Sequence, residues 1–238
     1  MPAKPTRANL EKDLKAAADP KRAISASGFF RTVKDECGAG DIFLGISIPV
    51  LRRVARPYRD LPLAEIEKLL YAKLHEYRTA AIEILVSQYQ RAGEEQRTGI
   101  VDFYLRNTAA INSWDLVDGS APYILGEHLK THPRKILRKL AQSKSLWERR
   151  IAMVATLRLV RSGELDDALT IAEMLLDDSH DLIHKAVGWV LREAGKKDRK
   201  RLLAFLETHY SRLPRTTLRY AIEHFTPEQR KRMLAGKF

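Results

Sequence analysis

The sequence contains a single cysteine, Cys37, among its 238 residues. One cysteine excludes an intrachain disulfide bond and any cysteine-rich zinc or iron–sulfur site. A chain of this kind suits a reducing compartment, so we expect the protein in the cytoplasm.

The sequence also lacks an apolar run of membrane-spanning length. Charges occupy residues 1–13, where a signal peptide needs its apolar stretch, and no later segment approaches the roughly 20 apolar residues that cross a bilayer. No P-loop, dinucleotide-binding glycine motif or serine nucleophile elbow occurs. We therefore expect a soluble protein, and nothing in the chain supports phosphoryl or hydride transfer.

No alternating strand pattern of any length is present, and helical periodicity dominates. The pattern predicts polar, amphipathic helices at residues 9–18 and 23–35, broken at the Asp19-Pro20 pair. An extended piece then leads to Ser47, and Pro49 can open the next helix at its first turn. The fold class predicted is all-α.

A repeat of about 35 residues organises these helices. Similar segments begin with a polar residue followed by small or apolar ones, and their first positions lie 36, 35, 35 and 34 residues apart: Thr79, Asp115, Arg150, Lys185 and Arg219. Two helices per period predict an α-solenoid of HEAT-like helical repeats, forming one domain over residues 1–238. Its concave wall should carry Trp114, Asp118, Arg150, Lys185 and Arg219.

The charge balance is strongly basic, since 42 lysines and arginines oppose 30 acidic residues. The excess is concentrated in residues 130–161, a segment that we call the basic stretch. Its ten cations accompany only Glu148, whereas residues 163–178 hold six acids and no lysine or arginine. A localised excess favours a polyanionic partner, with nucleic acid ahead of an acidic membrane surface. An amphipathic helix with exposed bulky apolar residues, which membrane binding would need, is lacking.

The helix predicted at residues 182–194 separates a structural face from a functional one. The apolar stripe consists of Ile183, Val187, Val190 and Ala194. Trp189 lies off that stripe, between Lys185 and Arg192, which suits a surface that faces phosphates and sugars. Gly188 would allow another backbone to approach closely.

Trp114 and Asp118 form a second constellation, because residues four apart share one face of a helix. Capping of a helix start is the alternative explanation for the acids near Ser113. His180 and His184 have zinc-ligand spacing, but no third ligand is marked, and helix capping is the better interpretation.

Four segments together resemble the AlkD-type DNA alkylation-repair glycosylases, which are built from HEAT-like repeats. They are Phe43-Leu44-Gly45-Ile46 with Pro49 and Arg52-Arg53, then Ser113 to Asp118, Trp147 to Ala152, and Lys185 to Glu193. The resemblance implies an active-site aromatic pair at Trp114 and Trp189, a catalytic carboxylate at Asp118, and a DNA-backbone arginine at Arg150.

The sequence is thus interpreted as a monofunctional glycosylase that removes cationic N3- or N7-alkylated purines from duplex DNA. We expect a monomer that works near bacterial-type nucleoid DNA with neither metal nor cofactor. Arg149, Lys185, Arg192 and Arg219 are expected to join Arg150 on a concave basic DNA-binding face. The alternative is a HEAT-like scaffold that binds nucleic acid or protein without chemistry.

The basic stretch predicts DNA binding that is nonspecific in sequence and steeply dependent on salt. With roughly four to six phosphates contacted, log K should fall against log salt with a slope of about −4 to −5. Fluorescence anisotropy of an undamaged duplex, titrated at several salt concentrations, measures this slope. A flat response would contradict a nucleic-acid partner.

Overall fold

The computed structural model describes residues 5–30 and 40–238, and the described residues form α-helices without a named strand. The chain divides into two compact units, unit 1 (residues 1–120) and unit 2 (residues 121–238). The all-α prediction is confirmed, whereas the single repeat domain and the solenoid stay predictions. Among the described helices, none combines the length and the apolar character needed to cross a membrane.

Unit 1 contains seven α-helices in its described part. They are α1 (Arg7–Ala16), α2 (Pro20–Phe29), α3 (Ile48–Ala55), α4 (Leu63–Leu70), α5 (His75–Arg91), α6 (Glu94–Arg106) and α7 (Trp114–Ser120). Helix α5 packs against α3, α4 and α7, and Leu85 in its middle is completely buried. The core of unit 1 therefore surrounds α5.

Unit 2 contains eight further α-helices. They are α8 (Lys135–Ala141), α9 (Leu146–Ala155), α10 (Leu157–Arg161), α11 (Asp166–Met174), α12 (Asp181–Lys197), α13 (Arg199–Thr208), α14 (Arg215–Ala221) and α15 (Pro227–Leu234). The positions with the 35-residue spacing fall on α5, α7, α9, α12 and α14. Within unit 1 α5 packs on α7, and within unit 2 α9 packs on α12 and α12 on α14.

The predicted break between the first two helices is confirmed. Asp19 caps α2, because its carboxylate accepts hydrogen bonds from the backbone N–H groups of Lys21 and Arg22, and Pro20 occupies the first turn. Helix α2 ends at Phe29, and the predicted continuation over residues 31–35 lies outside the described residues. Cys37 also lies outside them.

The segment that precedes α3 is held by a buried carboxylate. Glu76 accepts hydrogen bonds from the backbone N–H groups of Leu44 at 2.8 Å, Gly45 at 2.7 Å and Ile46 at 3.2 Å. Gly45 has φ +79°, and a Cβ there would lie 2.2 Å from the carbonyl oxygen of Asp19, so only glycine fits. Helix α3 then starts at Ile48, with Pro49 in its first turn as predicted.

Helix α12 is the centre of unit 2, and its predicted core stripe is confirmed. Ile183, Val187, Val190 and Ala194 are all buried. The predicted close approach at Gly188 is also confirmed, because a Cβ there would lie 2.5 Å from Tyr220 Cβ and 2.7 Å from the carbonyl oxygen of Thr217 on α14. Contact between these two helices thus requires glycine at this position.

Substitution Gly188→Ala is expected to lower the free energy of unfolding by about 1–3 kcal/mol, because the added methyl group overpacks the α12–α14 contact. Chemical denaturation measures the change. Gly99→Ala on α6 is the matched control, since open space surrounds that position and alanine should stabilise a helix interior by up to about 1 kcal/mol. Equal effects of both substitutions would contradict the close approach.

Candidate functional site

Helix α7 carries Trp114 and Asp118 one turn apart, both partly exposed, as the residue spacing predicts. Burial is the main cause of a raised pKa at the phenol of Tyr104. The hydrogen bond with Ser120 lowers that pKa, whereas the negative charge of nearby Asp118 raises it further. Helix α7 therefore presents an aromatic ring and a carboxylate on the same side.

Asp115, between these two residues in sequence, is tied into the protein through both carboxylate oxygens. Its Oδ2 lies 2.7 Å from Nε2 of His75, and its Oδ1 accepts a hydrogen bond from the Ser113 hydroxyl at 2.6 Å. Asp115 thus anchors the start of α7 to α5, and the capping interpretation of the acids near Ser113 stays a prediction.

His75 is buried between two carboxylates. Its Nδ1 lies 2.9 Å from Oδ2 of Asp41, on the side opposite Asp115. Arg78 donates from Nη2 to the same Asp41 oxygen at 2.5 Å and from Nη1 to Asn112 Oδ1 at 2.8 Å. Two cations and two carboxylates therefore join α5, Asp41 and the start of α7.

The charges in this network shift the pKa values of its members. Burial opposes protonation of His75, but the hydrogen bonds with Asp115 and Asp41 outweigh it and raise its pKa to about 9. Burial favours the neutral acid at Asp115, yet His75 and Ser113 hold the pKa of that carboxyl below its usual range. His75 is consequently an imidazolium at neutral pH, with both ring nitrogens donating.

Two aromatic side chains of unit 1 contact Trp114. The Phe30 ring stacks on the indole with centroids 5.4 Å apart and planes inclined by 16°, and Phe29 meets it edge-on at 5.8 Å. A cavity of about 460 Å³ lies beside this cluster, lined by Phe29, Phe30, Phe43, His75 and Asp115 among others. Sequence reasoning did not anticipate an aromatic cover on Trp114 from α2.

In unit 2, Trp189 is half-buried on α12, off the core stripe as expected. The two cations beside it are paired, because Lys185 contacts Asp181 at 2.7 Å and Arg192 contacts Glu223 on the segment after α14. Arg219 on α14 is exposed. These residues keep their expected places on α12 and α14, and DNA contact by them stays a prediction.

Arg149 and Arg150 were expected at the start of a helix but lie in the middle of α9, and both bond to other groups of the protein. Arg150 is 5% exposed and donates from Nη1 to the carbonyl oxygen of Leu182, 2.6 Å away in the first turn of α12. Arg149 forms a salt bridge with Asp178 at 2.5 Å. Both guanidinium groups therefore link α9 to the start of α12 and the residues just before it.

Three of the eight other cations of the basic stretch also form ion pairs within unit 2. Lys130 and Arg158 pair with Glu127, and Arg134 pairs with Glu164 and Asp167. Five cations stay exposed without an ion-pair partner among residues 5–30 and 40–238: Lys135, Arg138, Lys139, Lys144 and Arg161. Acidic residues of the segment 163–178 thus pair with part of the basic stretch.

His180 acts as a helix cap, as preferred from the sequence over zinc binding. Its Nδ1 accepts a hydrogen bond from the backbone N–H of Leu182 at 3.1 Å. His184 places Nε2 2.5 Å from the carbonyl oxygen of Asp178, consistent with a donated hydrogen bond. Ring nitrogens of both histidines are therefore used inside the protein.

Sequence reasoning missed Asp41, His75, Glu76 and Arg78. The available signal was a run of polar residues at the start of α5, where three of them are buried. Their partners lie about 30 to 40 residues away in sequence, at Leu44, Gly45, Asn112 and Asp115.

Comparisons with known proteins agree with this architecture. A family model described as DNA alkylation repair enzyme matches residues 10–225. Among solved structures, the chain is similar to a predicted DNA alkylation repair enzyme from Enterococcus faecalis, with a TM-score of 0.69 and 19% identity, covering 88% of this chain and 97% of that one. No curated protein matches. The structural likeness supports the all-α fold, and the family model covers most of the chain.

The His75 network generates a pH-dependent stability. The pKa of His75 is raised in the folded protein, so its contribution is complete below the unfolded value of about 6.5 and is lost as pH rises through about 9. The free energy of unfolding should therefore fall across this interval, and His75→Gln should flatten the fall. Denaturant titrations at several pH values measure it.

The matched control for that experiment is His224→Gln, which changes an exposed histidine of unit 2. Its stability profile should run parallel to that of the parent protein. Parallel profiles for the His75 variant as well would contradict the protonated network.

Proposed function

The chain belongs to the family of DNA alkylation repair enzymes, and on this premise we propose that it is a monofunctional DNA glycosylase. Its substrates would be purines that carry an alkyl group on N3 or N7 in duplex DNA. The observation that carries the proposal is the placement of Asp118 one helical turn from Trp114, on a partly exposed face of α7. Asp115, in the same turn, anchors the helix through His75 and Ser113.

The proposed chemistry needs a carboxylate but no general acid. An N3- or N7-alkylated purine is cationic, so the electron pair of the glycosidic bond leaves with the base, which departs neutral. Positive charge then develops on the sugar, and Asp118 would stabilise it electrostatically and orient the attacking water. Water adds at C1′ and releases a proton, leaving an abasic sugar.

The two tryptophans would also stabilise the positive charge that develops during the reaction. The face of an indole ring attracts cations, so Trp114 and Trp189 would stabilise a cationic base or an oxocarbenium-like sugar. Trp114 lies on α7 of unit 1 and Trp189 on α12 of unit 2.

The phosphate contacts are proposed from exposed and paired cations of unit 2. Exposed Arg219 and the five unpaired cations of the basic stretch can meet DNA directly. Arg149, Arg150, Lys185 and Arg192 already bond to protein groups, so they would meet phosphates as members of networks. We further propose that the protein acts as a monomer in the cytoplasm, without metal or cofactor.

Asp118→Asn is the decisive substitution, because it keeps the shape of the side chain and removes its charge. Excision of cationic alkylpurines should fall by on the order of 10² to 10³, as when a preorganised electrostatic stabiliser is lost. Affinity for duplex DNA should stay level or rise, since a carboxylate that repels phosphates has gone. Single-turnover release of 3-methyladenine and 7-methylguanine, with binding titrated alongside, measures both.

The control is Asp102→Asn, which makes the same change at an exposed site on α6. It should leave both the excision rate and the affinity near parental values. Equal excision rates for all three proteins would favour the non-catalytic scaffold, and absence of release by the parent protein would reject the glycosylase proposal itself.

A further inference from the structure

We propose that Phe30 and His75 are positioning residues for Trp114, which they hold through a closed chain of contacts. This inference rests on the proposed function, in which the indole of Trp114 faces the lesion. Neither residue is expected to touch the reacting atoms.

Three stacked pairs form one side of the closed chain. Trp114 stacks on Phe30 at 5.4 Å, Phe30 stacks on Phe43 at 5.0 Å with planes inclined by 24°, and Phe43 stacks on His75 at 4.7 Å with planes inclined by 26°. Stacked or offset aromatic pairs prefer defined ring orientations, unlike aliphatic contacts. The orientation of the Trp114 indole therefore depends on that of the His75 imidazole through the two phenylalanine rings between them.

A hydrogen bond closes the chain on its other side. His75 Nε2 lies 2.7 Å from the carboxylate of Asp115, and Asp115 is the residue that follows Trp114. The second imidazole nitrogen lies 2.9 Å from Asp41, so the ring of His75 is fixed from both ends. The start of α7, through Asp115, and the ring of Trp114, through the stacked phenylalanines, are therefore both linked to the imidazole of His75.

Among the described residues, the stack borders a cavity on one side. The cavity of about 460 Å³ borders Phe29, Phe30 and Phe43, so these rings have open space where a core would supply contacts. Helix α2, which contributes Phe29 and leads into Phe30, buries none of its own residues. Ring stacking is therefore the contact by which Phe30 would orient the indole.

The first experiment measures the mobility of Trp114 directly. Replacing Trp147 and Trp189 by phenylalanine leaves Trp114 as the only tryptophan, and time-resolved fluorescence anisotropy reports its local motion. In this background Phe30→Leu should add a fast depolarisation component, because leucine keeps apolar volume but has no ring face. Phe30→Tyr keeps the ring and should restore the parental decay.

Phe29→Leu is the matched control, since this neighbour meets Trp114 only edge-on and its side chain is exposed. Its anisotropy decay should match that of the parent. An unchanged decay in Phe30→Leu, or equal mobility in both leucine variants, would overturn the inference.

The second experiment asks whether this orientation serves excision, with all three tryptophans present. Phe30→Leu should lower the single-turnover rate constant about tenfold, since small misplacements of reacting groups are expensive in rate. The DNA concentration at half-maximal rate should change by less than about twofold, because the phosphate contacts are untouched. Phe30→Tyr should recover the rate.

His75→Gln should lower the same rate constant, and the double variant with Phe30→Leu should lose less than the product of the two single losses, because both act through one chain of contacts. Multiplicative losses, or a parental rate in Phe30→Leu despite a mobile indole, would overturn a positioning role. Absence of release by the parent would reject the proposed function alone, since the anisotropy comparison decides the holding of Trp114 without activity.

Discussion

The imidazolium of His75 between Asp41 and Asp115 is the interaction on which the rest of unit 1 depends. Burying a charge is expensive unless opposite charge and hydrogen bonds accompany it, and here both ring nitrogens face carboxylates. Removal of one partner would leave an uncompensated buried charge. The three elements that meet at His75 are consequently coupled, so α7 cannot shift without disturbing α5 and the residues before Phe43.

This coupling bears on the proposal that one short helix carries two aspartates with different roles. Asp115 and Asp118 lie less than one helical turn apart. Asp115 is held by His75 and Ser113, and Asp118 lies on the same side of α7 as Trp114. Electrostatic stabilisation in an enzyme requires groups that are already oriented before reaction. A helix start anchored through Asp115 would supply that orientation for Asp118.

The sequence was informative where the signal was local or periodic. Asp19 and Pro20 mark a helix start through their own chemistry, and the apolar period predicts the buried face of α12 with Gly188 against α14. The aromatic cover of Trp114 and the His75 network were not predictable, because their partners are distant in sequence and no period relates them. Arg150 illustrates the same limit: repeat spacing gives its position on α9, but not its burial against Leu182.

Glu76 recognises main chain rather than side chains, and this determines how the protein can vary. Every residue except proline offers a backbone N–H, so the positions of Leu44 and Ile46 can change identity without losing their bonds to that carboxylate. Glu76 itself has no such freedom, since a shorter or uncharged side chain would leave buried N–H groups unpaired. Among related chains, variation should therefore collect on the segment being held while the residue that holds it persists.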